Sequence, residues 1–279
     1  MIRTSRQLKD LVRNMSKGDN AKAHLIIRTY AMERFLERLS LSAYKRNFIL
    51  KGGMLVSAMV GHSNRTTLDI DASLKHLPLT IESARTMVEA ITAFQLDDGM
   101  TFAIQSVTSI MDEDDYPGIR ITLNAMLENM NTPLKLDFST GDAITPHEVS
   151  YSYPLLFEKR SIDIFAYNVE TVLAEKMETI LARGITSTRM RDFYDVYALA
   201  NAPTHPIDPA TIKQAFKNTS EHRGSAALAQ DADLILNEIY ENALMTSLWR
   251  KYQRKFDYAE NIPWNDVMEA VMNVADMVK

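Results

Sequence analysis

Apolar residues recur at helical spacing through the first forty positions. Leu8, Leu11, Val12 and Met15 lie three and four apart, which predicts an amphipathic helix. Thr4, with Gln7 three residues on, reads as its capping box, and Gly18 as its stop. A second helix is predicted over residues 21–39, on Leu25, Ile26, Tyr30, Met32, Phe35 and Leu36. The pattern then shortens. Phe48-Ile49-Leu50 is an apolar run closed by Gly52-Gly53, as expected of a buried strand. Residues 54–60 form a short helix ended by Gly61. A polar loop over 62–67 leads into a strand at Leu68-Asp69-Ile70-Asp71. A helix over 80–94 follows, then strands at 102–104, 118–123 and 134–138. Residues 154–164 show no regular pattern.

From Val169 the periodicity is helical to the end. Val172-Leu173, Met177 and Ile180-Leu181 make one apolar stripe, and Phe193, Val196-Tyr197 and Ala200 another. Pro203, Pro206 and Pro209 separate helices, and a bend is expected near Pro263. The fold class is therefore α/β (α+β): a mixed sheet with flanking helices over 1–165, then a helical bundle over 166–279. A chain of 279 residues accommodates two such domains.

Composition narrows the function. With no cysteine, disulfides and thiolate metal sites are excluded. No apolar run is long enough to span a bilayer, and no apolar signal core follows Met1, so a soluble cytoplasmic protein is expected. Net charge is −5, so any nucleic-acid contact must be local rather than a bulk charge effect. Two stretches qualify. Arg6, Lys9, Arg13 and Lys17 share one helix face, and residues 249–256 mix cations with aromatics as stacking surfaces do. Both also read as solvated helix faces with their aromatics in the core. The six histidines show no metal-ligand spacing, and the sixteen methionines read as core filler.

The chemistry concentrates in Lys51-Gly52-Gly53 and Arg65-Thr66-Thr67-Leu68-Asp69-Ile70-Asp71. Residues two apart on a strand share a face, so Asp69 and Asp71 project together and Ile70 faces the core. Neighbouring carboxylates repel unless a cation sits between them. Their hard oxygens suit Mg2+ or Mn2+, ions that usually also bind substrate phosphates. Glycine lets the backbone approach a ligand closely, and the helix it opens favours phosphate at its N-terminus. An Asp-x-Asp alone is common on solvated strands; the upstream glycines set this one apart. Asp137, on a later strand that could lie beside the first, is the candidate third carboxylate for metal-assisted phosphoryl transfer. Its plain alternative is a strand-end carboxylate before the 139–141 turn.

These motifs, with Glu175-Lys176 on a helix and Arg191-Asp192-x-x-Asp195 beyond, resemble the AbiEii toxin family, nucleotidyltransferase-like toxins of type IV abortive-infection toxin–antitoxin systems. The resemblance runs from Phe48 to near Tyr197. It implies a nucleotidyltransferase (polymerase-β-like) fold and a phage-defence toxin. The activity implied is transfer of a nucleoside monophosphate from an NTP, GTP or another, to an acceptor such as the tRNA 3′ end, arresting growth.

It also implies roles. Asp69 and Asp71 would be catalytic and hold the metal, and Asp137, read from its own strand rather than from the resemblance, would join them as the third catalytic ligand. Lys176 and Asp192 would complete the catalytic set. Lys51, Gly52, Gly53, Arg65, Thr67 and Lys176 would bind the nucleotide. A cognate antitoxin would be a genetic partner without a direct complex. In the wider superfamily the glycines lie closer to the Asp-x-Asp, so residues 62–66 are an extension that could bring Arg65 to the substrate. From the residues alone, Glu175-Lys176 also fits an ordinary surface pair and Asp192 a favourable charge at a helix start. Two other functions stay open: nucleotidylation of a protein or small molecule, and nucleotide binding without catalysis.

Overall fold

The structure, a computed structural model, describes residues 1–111, 117–202 and 204–279. Pro203, expected to break a helix, lies outside the described residues. The chain divides into two compact units. The first comprises residues 1–58, 66–141 and 149–166, and the second residues 59–65, 142–148 and 167–279. Two short segments of the first half thus belong with the helical second half, which a single cut near residue 165 does not capture.

The first unit opens with α1 (Ser5–Ser16), held by the Thr4–Gln7 capping box read from the sequence. It continues in α2 (Asn20–Leu41). Every residue of α2 from Tyr30 to Leu39 is buried, charged ones included. Burying charge is costly unless it is paired and hydrogen-bonded, and α2 pairs Arg34, Glu37 and Arg38. Arg38 donates to Asp98 at 2.7 and 2.8 Å and to the Met100 carbonyl at 2.7 Å. Arg34 and Arg160 both meet Glu37.

The sheet is built from β1 (Phe48–Lys51), β2 (Asp69–Leu74), β3 (Met100–Met111), β4 (Pro117–Leu127), β5 (Met130–Thr140), β6 (Val149–Pro154) and β7 (Ser161–Ala166). Their spatial order is β3-β4-β5-β2-β1-β7-β6. β2 runs parallel to β5 and β1 parallel to β7; the other neighbouring pairs are antiparallel. α3 (Gly52–Val60) follows β1 directly, and α4 (Ile81–Thr92) packs on β3. α2 packs on β5 and β7. Phe48, Leu50, Ile70, Leu136 and Phe138 are fully or almost fully buried.

The region read as irregular, 154–164, instead takes part in the β6–β7 hairpin. β7 does alternate, with Ile162, Ile164 and Ala166 buried between exposed Ser161 and Asp163. The stretch is short and charged residues precede it, so the pattern stands out only once β1 lies beside it.

The second unit consists of α5 (Val169–Arg183), α6 (Met190–Ala200), α7 (Pro209–His222), α8 (Ala232–Glu241), α9 (Ala243–Lys255) and α10 (Trp264–Val278), with short 3-10 turns between. α5 packs on α6 and α7, and α10 on α6 and α7. Leu173, Met177, Phe193, Val196, Phe216, Val267 and Val271 fill its core. Pro209 occupies the first turn of α7, where its missing N–H costs nothing. The bend expected near Pro263 is a full break, with α10 starting afresh after it. Among the described residues no helix is long and apolar enough to cross a membrane.

Candidate functional site

Four adjacent strands of the first unit bring the candidate residues into register. Asp71 on β2 pairs with Asp137 on β5 and with Lys51 on β1, and Asp137 pairs with Arg120 on β4. Directly paired residues present their side chains to the same face. The result is a cross-strand row, Lys51–Asp71–Asp137–Arg120. One step back along the strands, Asp69 pairs with Lys135 on that same face. Ile70, between the two aspartates, is fully buried on the other side. The structure thus brings Asp69, Asp71, Asp137 and Lys51 together.

The glycine step before α3 serves this row. Gly52 has φ +66°, a conformation that side chains rarely adopt, and a Cβ there would lie 2.0 Å from Asp71 Oδ2. Gly52 therefore makes room for a carboxylate of the chain itself. Asp71 also accepts the Gly53 backbone N–H. Its pKa is raised, first by burial and then by the neighbouring Asp137 charge; Lys51 and the Gly53 N–H oppose this, while Asp69 adds to it. Such a carboxyl gains from a cation brought beside it.

Asp137 already has a cation. Arg120 Nε donates to Oδ1 at 2.8 Å and Nη2 to Oδ2 at 2.7 Å. Among the described residues no three His, Cys, Asp or Glu side chains converge on one ion-sized point. The donor set suits a hard divalent ion at Asp69 and Asp71; Asp137 would have to exchange its arginine to join it. Thr67 is buried, and its hydroxyl donates to the Asp69 carbonyl at 3.4 Å, which fastens the entry to β2.

Within the second unit a separate charged cluster forms around α5 and α6. Lys176 Nζ lies 2.5 Å from Asp192 Oδ1 and 3.1 Å from Asp195 Oδ2. Arg189 Nε donates to Asp192 Oδ2 at 2.8 Å. Arg65 Nε and Nη2 fork onto Asp195 at 2.6 and 3.2 Å. Burial opposes the ionisation of Asp192, but Lys176 and Arg189 outweigh it and bring its pKa down to about 2. Burial would likewise lower the pKa of Lys176, yet the two carboxylates hold it above its ordinary value.

Arg65, expected at the nucleotide, has its guanidinium buried on Asp195 instead. Asp195 is as deeply engaged as Asp192. The available signal was their spacing, since residues three apart on a helix share a face. Tyr194, between them, donates its hydroxyl to the Asn64 carbonyl.

The cation-rich stretch over 249–256 places Trp249 and Tyr252 inward and leaves Phe256 half-buried. Trp249 and Tyr252 are buried; Trp249 donates to the Ile262 carbonyl at 2.9 Å, and the Tyr252 and Tyr258 hydroxyls are 3.0 Å apart. Arg250, Lys251, Arg254 and Lys255 face solvent. These two buried rings are core, so they offer no stacking surface for bases. Arg6, Lys9 and Arg13 on α1 and Lys17 at its C-cap are exposed, with Arg13 3.8 Å from Asp10.

Comparison with known proteins adds a family and a fold. The family model described as nucleotidyl transferase AbiEii toxin, type IV TA system, matches residues 34–273. Among solved structures, a candidate nucleotidyltransferase from H. pylori is similar over 91% of this chain and 96% of its own, with TM-score 0.50 and 15% identity. JHP933 from Helicobacter pylori is similar over 91% and 93%, with TM-score 0.51 and 14% identity. At that identity the likeness shows the fold alone. No curated protein matches the sequence.

Proposed function

Since the chain belongs to the AbiEii family of nucleotidyl transferase toxins of type IV toxin–antitoxin systems, we propose that it moves a nucleoside monophosphate from an NTP to an acceptor hydroxyl. The observation that carries this reading is the Lys51–Asp71–Asp137–Arg120 row, with Asp69 one step behind it and Gly52 beneath Asp71. It aligns carboxylates and cations on one face of a sheet that also buries a firm core.

Asp69 and Asp71 would hold Mg2+ or Mn2+, with Asp137 as the third ligand. The ion would supply charge neutralisation at the phosphates. In the transfer, the acceptor hydroxyl gives up its proton to water, its oxygen bonds to the α-phosphorus, the bond to the bridging oxygen breaks, and pyrophosphate leaves. Lys51, beside Asp71, balances the local negative charge. Fixed, preorganised charges of this kind lower the barrier without reorganising during the reaction. In the second unit, Lys176, Arg189 and Arg65 set three cations against Asp192 and Asp195. In this reading Lys176 contacts a phosphate of the nucleotide.

The donor in this reading is GTP or another nucleotide, and the acceptor a tRNA 3′ end in the cytoplasm. Growth arrest follows from blocking that end. The cognate antitoxin is a genetic partner and acts without forming a complex with this chain. The test is incubation of the purified protein with each α-labelled NTP, Mg2+ and total RNA. Label is expected in tRNA. Label confined to protein or a small molecule would redirect the acceptor. Absence of pyrophosphate release with every acceptor would overturn the transferase reading.

A further inference from the structure

Arg120 carries no sequence signal of its own. It sits in an ordinary alternating strand, and only the pairing of β4 with β5 sets it opposite Asp137. There both guanidinium arms meet both carboxylate oxygens, at 2.8 and 2.7 Å. A bidentate fork takes up the lone pairs that face it. While it is closed, those lone pairs are not offered to a divalent ion. The pair is also partly open to water, with the Arg120 side chain 39% exposed and Asp137 19%. A pair that water can reach loses less on parting than a fully buried one, because both groups can then be hydrated.

The rest of the face explains why a fork belongs here. Asp71 and Asp137 are direct neighbours across β2 and β5, with Asp69 in the next row. Lys51 flanks the row on one side and Arg120 on the other. The two central carboxylates are thus balanced by cations of the chain itself, at the ends of the same row. A divalent ion that recruits Asp137 must displace the guanidinium. The displaced group stays on the same sheet face, and its planar donors match a phosphate.

We infer that Arg120 is a partner-exchange residue: it keeps Asp137 oriented until a divalent cation takes that carboxylate, and its guanidinium then passes to a phosphate oxygen of the nucleotide. This rests on the nucleotidyltransferase reading above. It makes Arg120 a competitor of the metal alone and a helper of the metal–nucleotide pair. Those two effects have opposite signs, which a merely structural arginine does not produce.

The experiment measures Mn2+ binding to the full chain by calorimetry, first alone and then with a non-hydrolysable α,β-methylene nucleotide. For Arg120→Gln, Mn2+ alone should bind about two- to fivefold tighter, the scale of a partly exposed ion pair. The Mn2+–nucleotide pair should bind about tenfold weaker, the scale of a lost hydrogen bond to a charged group. Arg120→Lys keeps the charge and loses the fork, so nucleotide affinity should fall while Mn2+ affinity does not. It carries the test if the glutamine variant fails to fold. Both affinities falling together, or neither changing, would overturn the exchange and leave the transferase reading standing. Wild-type protein that binds no Mn2+ would overturn both.

Discussion

A methyl group at Gly52 would land 2.0 Å from Asp71 Oδ2, so at this position the backbone and a carboxylate compete for one space. Read in sequence, Gly52-Gly53 suggested room for a ligand; in the fold, Gly52 gives that room to Asp71. The residue scale also explains a carboxyl outside the site. Glu33 is fully buried on α2, and both its oxygens accept from the Leu156 N–H, at 3.0 and 3.1 Å. Burial pushes its pKa from 4.5 up to about 8; the Leu156 N–H and Arg34 oppose this, while Glu158 and Glu37 add to it. A group with a raised folded-state pKa binds its proton more tightly when folded. Its stabilising contribution is complete below the unfolded value and fades as pH rises through the folded one. Between pH 5 and pH 8 the loss should be roughly 3–4 kcal/mol. Glu33→Gln, which cannot ionise, should match wild type in urea midpoint near pH 5 and exceed it at pH 8. Parallel pH profiles for the two proteins would contradict this assignment.

At the scale of elements, residues 59–65 are tied to α6 by the Arg65–Asp195 fork and by the Tyr194–Asn64 hydrogen bond. Arg65 is almost wholly buried, and Asp195 is its carboxylate partner. Asp195 also meets Lys176, so one carboxylate balances two cations. Removing one partner of a buried pair leaves an uncompensated charge and costs about 3–5 kcal/mol. Asp195→Ala should therefore lower stability by that order in urea unfolding, and Asp195→Asn by less, because an amide oxygen still accepts from Arg65. An Asp195→Ala protein as stable as wild type would remove Arg65 and Asp195 from the frame of the second unit. Elements differed in how openly the sequence announced them. α1, with its Thr4–Gln7 box, and the stripes of α5 were legible because each signal is local. The β6–β7 hairpin was not, because β7 is six residues long and takes its place from pairing with β1.

At the scale of the whole molecule, charge limits how the nucleic-acid acceptor proposed above would be met. The chain carries a net charge of −5, and its exposed cations are scattered, with short pairs such as Arg250-Lys251 and Arg254-Lys255. Affinity for a polyanion falls with salt in proportion to the phosphates neutralised. A local footprint should give a shallow slope of log K against log salt, about −2 to −4 for single-stranded RNA. A slope near −8 in fluorescence anisotropy would point to a far larger basic surface than the fold displays.

The sequence by itself determined the two-part architecture, the capped first helix, the helical second half, and Asp69 and Asp71 on one strand face. Each of these depends on periodicity or spacing within a few residues, which the chain carries wherever it goes. Only the tertiary structure decided that Asp137 stands in line with Asp71, that Gly52 makes way for a carboxylate, that Arg65 belongs to Asp195, and that Arg120 holds Asp137. These are pairings between residues from 17 to 130 positions apart. Strand register and helix packing create them, and no local pattern encodes which partner a buried charge will find.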